Sequence, residues 1–205
     1  MFSGKSNVSS PLLAAAILIA LLSACSAKKI ESVNRDGPPI QAGATPNQTG
    51  IKELDHIIEA TLTGDMNEFR SLLEFTQTNC THTEGLGGPP KCLNGEAEGM
   101  PVEVLPFLGS EGYFIRRQDI GSWKGLHVSR LYAVYETTDA VYSDENYPKG
   151  EYAIVFINSG GTEYGITLQV AKGHILRIDE GFTMPPEILE SHVARYLVEP
   201  VNLAP

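Results

Sequence analysis

Apolar residues recur at Ile51, Leu54, Ile57, Ile58 and Leu62, a spacing of three and four that predicts a helix with one buried stripe. Thr63-Gly64-Asp65 breaks this pattern. Asp65 is placed to cap a second helix, with Glu68 three residues on as an acidic variant of the capping box. Met66, Phe69, Leu72 and Leu73 give that helix its apolar stripe. The pattern then changes. Val102 to Leu108 reads as a short strand, in which Pro106 argues for an edge or a bulge. Arg117 to Trp123 reads as a short helix, with Trp123 as a core residue or a pocket wall. Leu131 to Thr137 alternates, and Tyr152 to Asn158 carries the apolar run expected of a central strand. Ser159-Gly160-Gly161 turns into Tyr164 to Ala171, where Tyr164, Ile166, Leu168 and Val170 share a face. Lys172-Gly173 turns again into His174 to Glu180. Three strands with tight glycine turns predict an antiparallel meander. Pro185-Pro186 opens a last helix, Glu187 to Leu197, with Ile188, Leu189, Val193 and Leu197 on its buried side. The fold class expected from these elements is α+β: an N-terminal helical pair packed on a curved antiparallel sheet, plus a C-terminal helix.

The first 50 residues follow another logic. An apolar run from Pro11 to Leu22 follows a polar segment carrying Lys5. The run is shorter than the roughly 20 apolar residues of a membrane-spanning helix. A cationic start, a short apolar middle and a small-residue exit describe a secretory signal peptide. Leu22-Ser23-Ala24-Cys25 resembles the lipobox of bacterial lipoproteins, with Cys25 where that family's lipidated cysteine stands. The resemblance implies cleavage before Cys25, acylation of Cys25, and an extracytoplasmic domain attached to the cell membrane or outer membrane. Ser26, where an Asp would signal retention in the inner membrane, leans toward the outer one. More than one acyl chain is needed for stable anchoring, and that family supplies more than one. Residues 25–50 are rich in Gly, Pro, Asn and Gln and read as a flexible tether. The expected organisation is a signal peptide over 1–24, the tether over 25–50 and one globular domain over 51–200.

Charge narrows the partners. The chain carries 15 Lys+Arg against 25 Asp+Glu, a formal net charge of −10. Loss of residues 1–24 removes only Lys5 among the charged residues, so the mature chain is more acidic still. Such a body opposes nucleic acid, whose phosphates need a basic face, and leaves membrane attachment to the lipid on Cys25. With Cys25 acylated, Cys80 and Cys92 remain as an even pair, which in an oxidising compartment reads as a disulfide. In the chain-entropy picture the loop it closes contributes about 3 kcal/mol. The rival reading is a metal site from Cys80, His82 and Cys92, three ligands where structural zinc wants four. Between the cysteines, Gly85-Leu86-Gly87-Gly88-Pro89-Pro90 lacks the Gly-Lys-Ser/Thr ending of a phosphate-binding loop and reads as a shaped recognition loop.

No nucleophile-elbow serine, His-Glu-x-x-His or aspartate-rich metal loop occurs, and nothing suggests a cofactor. Glu190 and His192 stand two apart on the expected last helix and do not share a face. Ala60 to Asp65 followed by a helix, and Val170-Ala171-Lys172-Gly173-His174-Ile175, resemble pieces of the nuclear-transport-factor-two-like (SnoaL-like) superfamily. That resemblance implies a sheet wrapped around a conical cavity, where some members hold acid/base Asp and His residues. His127, Asp119, Tyr164 and Asp179 are the candidates for such a site, a His–Asp pair being able to move a proton near neutral pH. The leading expectation is a non-catalytic lipoprotein that binds a small ligand or an envelope protein. The alternatives are an acid/base enzyme of the SnoaL-like kind and a structural or assembly subunit of the cell envelope.

Overall fold

A computed structural model describes residues 48–109, 111–159, 164–182 and 186–201. The signal segment, Cys25 and nearly all of the tether lie outside the described residues. Those described belong to one compact unit.

Two helices open the chain, α1 (Lys52–Thr63) and α2 (Met66–Ser71). α1 stops at Gly64, whose φ of 69° is a left-handed conformation that costs glycine little. The Asp65 side chain then accepts from the backbone N–H groups of Asn67 and Glu68 at 3.1 Å each, capping α2. Leu54, Ile57, Ile58, Ala60 and Phe69 from these helices share one buried cluster with strand residues such as Leu105, Phe107, Ile154 and Leu168.

The rest is strand. β1 (Thr76–Asn79), β2 (Pro101–Leu108), β3 (Tyr113–Arg116), β4 (Val128–Thr137), β5 (Tyr152–Asn158), β6 (Tyr164–Ala171) and β7 (His174–Phe182) are followed by α3 (Pro186–His192) and β8 (Val193–Val198). Among the described residues they form one eight-stranded sheet in the order β1-β2-β7-β6-β5-β4-β8, with β3 also paired to β2. Every pairing between these strands is antiparallel except β2 with β7, which is parallel. Val104 pairs with both Thr76 and Arg116, and Phe107 with both Tyr113 and Ile178. So β3 runs along one side of β2, while β1 and then β7 share the other. Pro106, which has no N–H to donate, falls between the last residue paired to β1 and the first paired to β7.

This overturns the expected fold class. Instead of a helical pair on a curved antiparallel sheet with a C-terminal helix, the molecule is mostly a large, open, mixed sheet with few helices. The β5–β7 meander is present, but β2 joins its edge in parallel. The expected helix over Glu187 to Leu197 stops at His192, and Val193–Val198 pairs with β4 instead. Val193, Tyr196 and Val198 suit a strand as well as the apolar spacing suits a helix, and the edge of β4 offers unpaired backbone groups to be met. The expected helix from Arg117 shrinks to a single 3-10 turn, Arg117–Asp119.

Candidate functional site

Strand register builds the site. Across β5, β6 and β7, Ala153 lies opposite Gln169 and Gln169 opposite Arg177. Val155 lies opposite Thr167 and Thr167 opposite Asp179; Ile157 lies opposite Gly165 and Gly165 opposite Gly181. Because alternate residues of a strand point to opposite faces, these three rows share one face of the sheet. That face floors a cleft of about 810 Å³. Leu189 and His192 of α3 and Val141 and Tyr142 of the β4–β5 connection also line it. The Gly165–Gly181 row leaves the floor bare: a Cβ at Gly181 would meet nothing within 4 Å.

At the base lies a saturated ionic network. Arg177 is 1% exposed. Its Nε donates to Asp179 Oδ1 at 2.6 Å and its Nη2 to Asp179 Oδ2 at 2.9 Å, a bidentate pair. Its Nη1 donates to the carbonyls of Tyr142 (2.8 Å) and Tyr147 (2.9 Å). Gln169 Nε2 donates to Asp179 Oδ2 at 2.9 Å, and Gln169 Oε1 accepts from the Gly150 N–H at 3.1 Å. A buried guanidinium is tolerable only when paired and hydrogen-bonded in this way. Its consequence is positional: Arg177 ties the β4–β5 connection to the sheet and so holds Tyr142 at the mouth of the cleft. Asp144 braces the same connection, accepting from the N–H groups of Asn146 and Tyr147 at 2.8 Å each. The Tyr142 hydroxyl also donates to Asp144, and that bond, before all else, holds the Asp144 carboxyl below its ordinary range. Gly150 must be glycine here, since a Cβ would collide with the Val170 backbone.

Tyr113 stacks on Phe107 of the main core with ring centroids 4.6 Å apart, and its hydroxyl reaches Glu180 Oε2 at 3.4 Å. Burial, then the Glu180 charge, push the Tyr113 phenol well above its usual range. Burial lowers the pKa of His192, with Asp179 opposing the effect and Arg177 adding to it, so the site favours the neutral imidazole. Behind Gly112, part of the cleft wall, the Tyr147 hydroxyl is buried without a hydrogen-bond partner.

The residues singled out from sequence scatter. Asp179 lies in the cleft as the partner of Arg177. Tyr164 opens β6 opposite Phe182. His127 and Asp119 are exposed, neither is among the residues lining the cleft, and no hydrogen bond or ion pair joins their side chains. Trp123 packs against the main core, edge-on to Phe107 with centroids 5.5 Å apart. Arg177, Gln169, Tyr113, Tyr142 and Glu180 were missed. The available signal was the polar alternation Thr167, Gln169, Arg177, Asp179 within otherwise apolar strands.

A second feature is the stapled loop. Cys80 and Cys92 form a disulfide, with Cα atoms 4.9 Å apart. Arg116 grips Glu96 through Nη1–Oε1 at 2.6 Å and Nη2–Oε2 at 2.8 Å, and this bond lowers the Glu96 pKa more than any other influence. Glu96 lies near both sulfurs, and His82 and Glu98 near Cys92. The sulfurs are bonded to each other, so they are not the thiolates that zinc requires. The loop projects Leu86, 77% exposed.

Among the described residues, no helix is long and apolar enough to cross a membrane. Comparison of the chain with protein-family models, with curated proteins and with solved structures finds no match.

Proposed function

We propose that this chain is a lipid-anchored extracytoplasmic lipoprotein whose sheet domain binds a small molecule in the β5–β7 cleft without transforming it. The anchor rests on the lipobox Leu22-Ser23-Ala24-Cys25. The binding role rests on one observation: a cleft of about 810 Å³ with open apolar walls whose ionic base is already satisfied from within. Small-molecule sites typically measure about 300–1,000 Å³ and are mostly apolar with a few placed polar groups. An acid/base catalyst must exchange a proton with its substrate, whereas Asp179 is held in a bidentate pair with Arg177. The apolar walls gain by excluding water when a ligand covers them.

Native mass spectrometry of the full chain, processed in a bacterial host and released from its membranes, tests both parts. Acyl mass on the N-terminal peptide at Cys25 supports the anchor, and an unmodified cysteine overturns it. A co-purifying small molecule that is lost in Gly181→Val supports the cleft, because valine fills the bare floor without a backbone clash. A molecule retained in that variant, or none in either protein, overturns the binding role.

A further inference from the structure

One polar side chain on the cleft floor is left without a partner. Thr167 is 4% exposed, yet its hydroxyl makes no hydrogen bond to any described residue. Nor is that hydroxyl sealed off: among the described residues the enclosed unpartnered side-chain atoms are Arg70 Nε and the Tyr147 hydroxyl oxygen. The Thr167 hydroxyl therefore opens into the cleft that its side chain lines. Once a ligand expels water from the cleft, this group costs free energy unless the ligand itself bonds to it.

Register sets a matching group beside it. Thr167 lies directly opposite Asp179, and residues so paired have Cβ atoms about 4.5–5.5 Å apart. Asp179 Oδ1 accepts from Arg177 Nε alone among the described residues, and the side chain is 14% exposed, so a lone pair remains for a donor. A ligand hydroxyl between the two side chains accepts from Thr167 and donates to Asp179. An ether or a carbonyl accepts only, and leaves Asp179 facing lone pairs.

Charge on this face is already balanced. Arg177 and Asp179 form a bidentate pair, and Glu180, next to Asp179 on β7, belongs to the opposite face. Glu111, on the β2–β3 connection, is exposed to solvent, which screens it. The site of His192 favours the neutral ring. An ionic ligand thus enters the floor without a counter-charge of its own. Beyond Thr167 the floor turns apolar and flat. Val155 lies opposite Thr167, and the next row is Ile157, Gly165 and Gly181, two of them without a side chain. Leu189 walls the same space.

On the reading that the cleft is a binding site, we infer that its ligand is an uncharged apolar molecule carrying a hydroxyl group. The hydroxyl sits between Thr167 and Asp179. A flat body lies over the Gly165–Gly181 strip, against Val155, Ile157 and Leu189.

Four probes of similar shape test this: 4-ethylphenol, its methyl ether 4-ethylanisole, 4-ethylbenzylammonium and 4-ethylbenzoate. Each is titrated by saturation-transfer NMR into the full chain, processed and reconstituted in phosphatidylcholine vesicles, against protein-free vesicles. The phenol is expected to bind about fivefold more tightly than the ether, the size of one neutral hydrogen bond, with both ions weaker still. Thr167→Val keeps the side-chain shape and removes no bond within the described fold; it erases that advantage and leaves the ether unchanged. Thr167→Ser retains the advantage. Equal binding of phenol and ether, lost together in Gly181→Val, keeps the cleft as a binding site and overturns the hydroxyl assignment. A phenol advantage untouched by Thr167→Val overturns it too, as does tighter binding of either ion. Failure of all four to bind, or binding untouched by Gly181→Val, sinks the inference together with the binding role of the cleft.

Discussion

β5, β6 and β7 present two faces that differ completely, although the residues alternate along the same strands. One face carries Ile154, Phe156, Ile166, Leu168 and Ile178 into the largest buried cluster, together with the helices. The other carries Val155, Thr167, Gln169, Arg177 and Asp179 toward the cleft. The first is dry and gains its stability from packing, which is additive and undirected. The second buries a charge, which is tolerable only because each partner stands at hydrogen-bond distance. A dry face survives a modest change of shape, while a polar one depends on every member being present.

The sharpest test of this contrast is to damage each face once. Phe156→Ala on the dry face is expected to cost about 3–5 kcal/mol in urea unfolding, from lost burial and a residual cavity. Asp179→Ala on the polar face is expected to cost a similar 3–5 kcal/mol or so for a different reason, since it strands the Arg177 guanidinium without its counter-charge. A double-mutant cycle tells them apart. Arg177→Met should recover much of the Asp179→Ala loss and none of the Phe156→Ala loss. Independent, additive losses at positions 177 and 179 would break the comparison.

Next in size is the disulfide. Replacing Cys80 and Cys92 by Ser removes a covalent constraint spanning a sequence separation of 12 and is expected to cost about 3 kcal/mol in thermal unfolding. The cleft network lies on other strands, so the same variant should keep its small-molecule binding. Loss of binding there would tie the two regions together.

A smaller effect is read from pH. The His192 pKa is lowered in the folded protein, first by burial, so the folded state prefers the neutral ring. Its stabilising contribution is therefore present above the unfolded value, near 6.5, and is lost as pH falls through that value toward the lower folded one. Urea unfolding at pH 7 and pH 5 should show His192→Gln losing less stability on acidification than the parent. Parallel pH profiles would remove His192 from the buried side of the cleft.

The smallest effect sits behind the cleft wall. The Tyr147 hydroxyl is buried without a partner, so Tyr147→Phe removes no hydrogen bond. Unfolding free energy should stay within about 0.5 kcal/mol of the parent or rise, because deleting an unsatisfied buried polar group relieves its desolvation cost. A clear loss of stability would show that the hydroxyl is bonded, through a water or otherwise.

What was readable in the chain is what short-range physics controls. The stripe Leu54, Ile57, Ile58 buries as a helix because residues three and four apart share a face. Asp65 caps because its side chain reaches the next N–H groups unaided. Tyr152–Asn158 and Tyr164–Ala171 are strands at the bounds predicted by the apolar run of the first and the alternation of the second. The pairing of Cys80 with Cys92 follows from their being an even pair in a lipoprotein reading, and the two sulfurs stand at bonding distance.

Tertiary structure decided what depends on partners distant in sequence. Val193–Val198 has apolar spacing that suits either a helix or a strand, and the waiting edge of β4 selected the strand. The parallel contact of β2 with β7 brings together segments about seventy positions apart, for which no local pattern exists. Asp179 was visible as a titratable residue, but its meaning came from Arg177 two positions away and Gln169 across the hairpin. His127 and Asp119 were chosen for their chemistry alone, and chemistry does not specify distance. Local periodicity determines which residues are buried, because burial is set within a turn or a strand; which buried polar groups meet is set by register and strand order, and those exist only once the whole sheet has assembled.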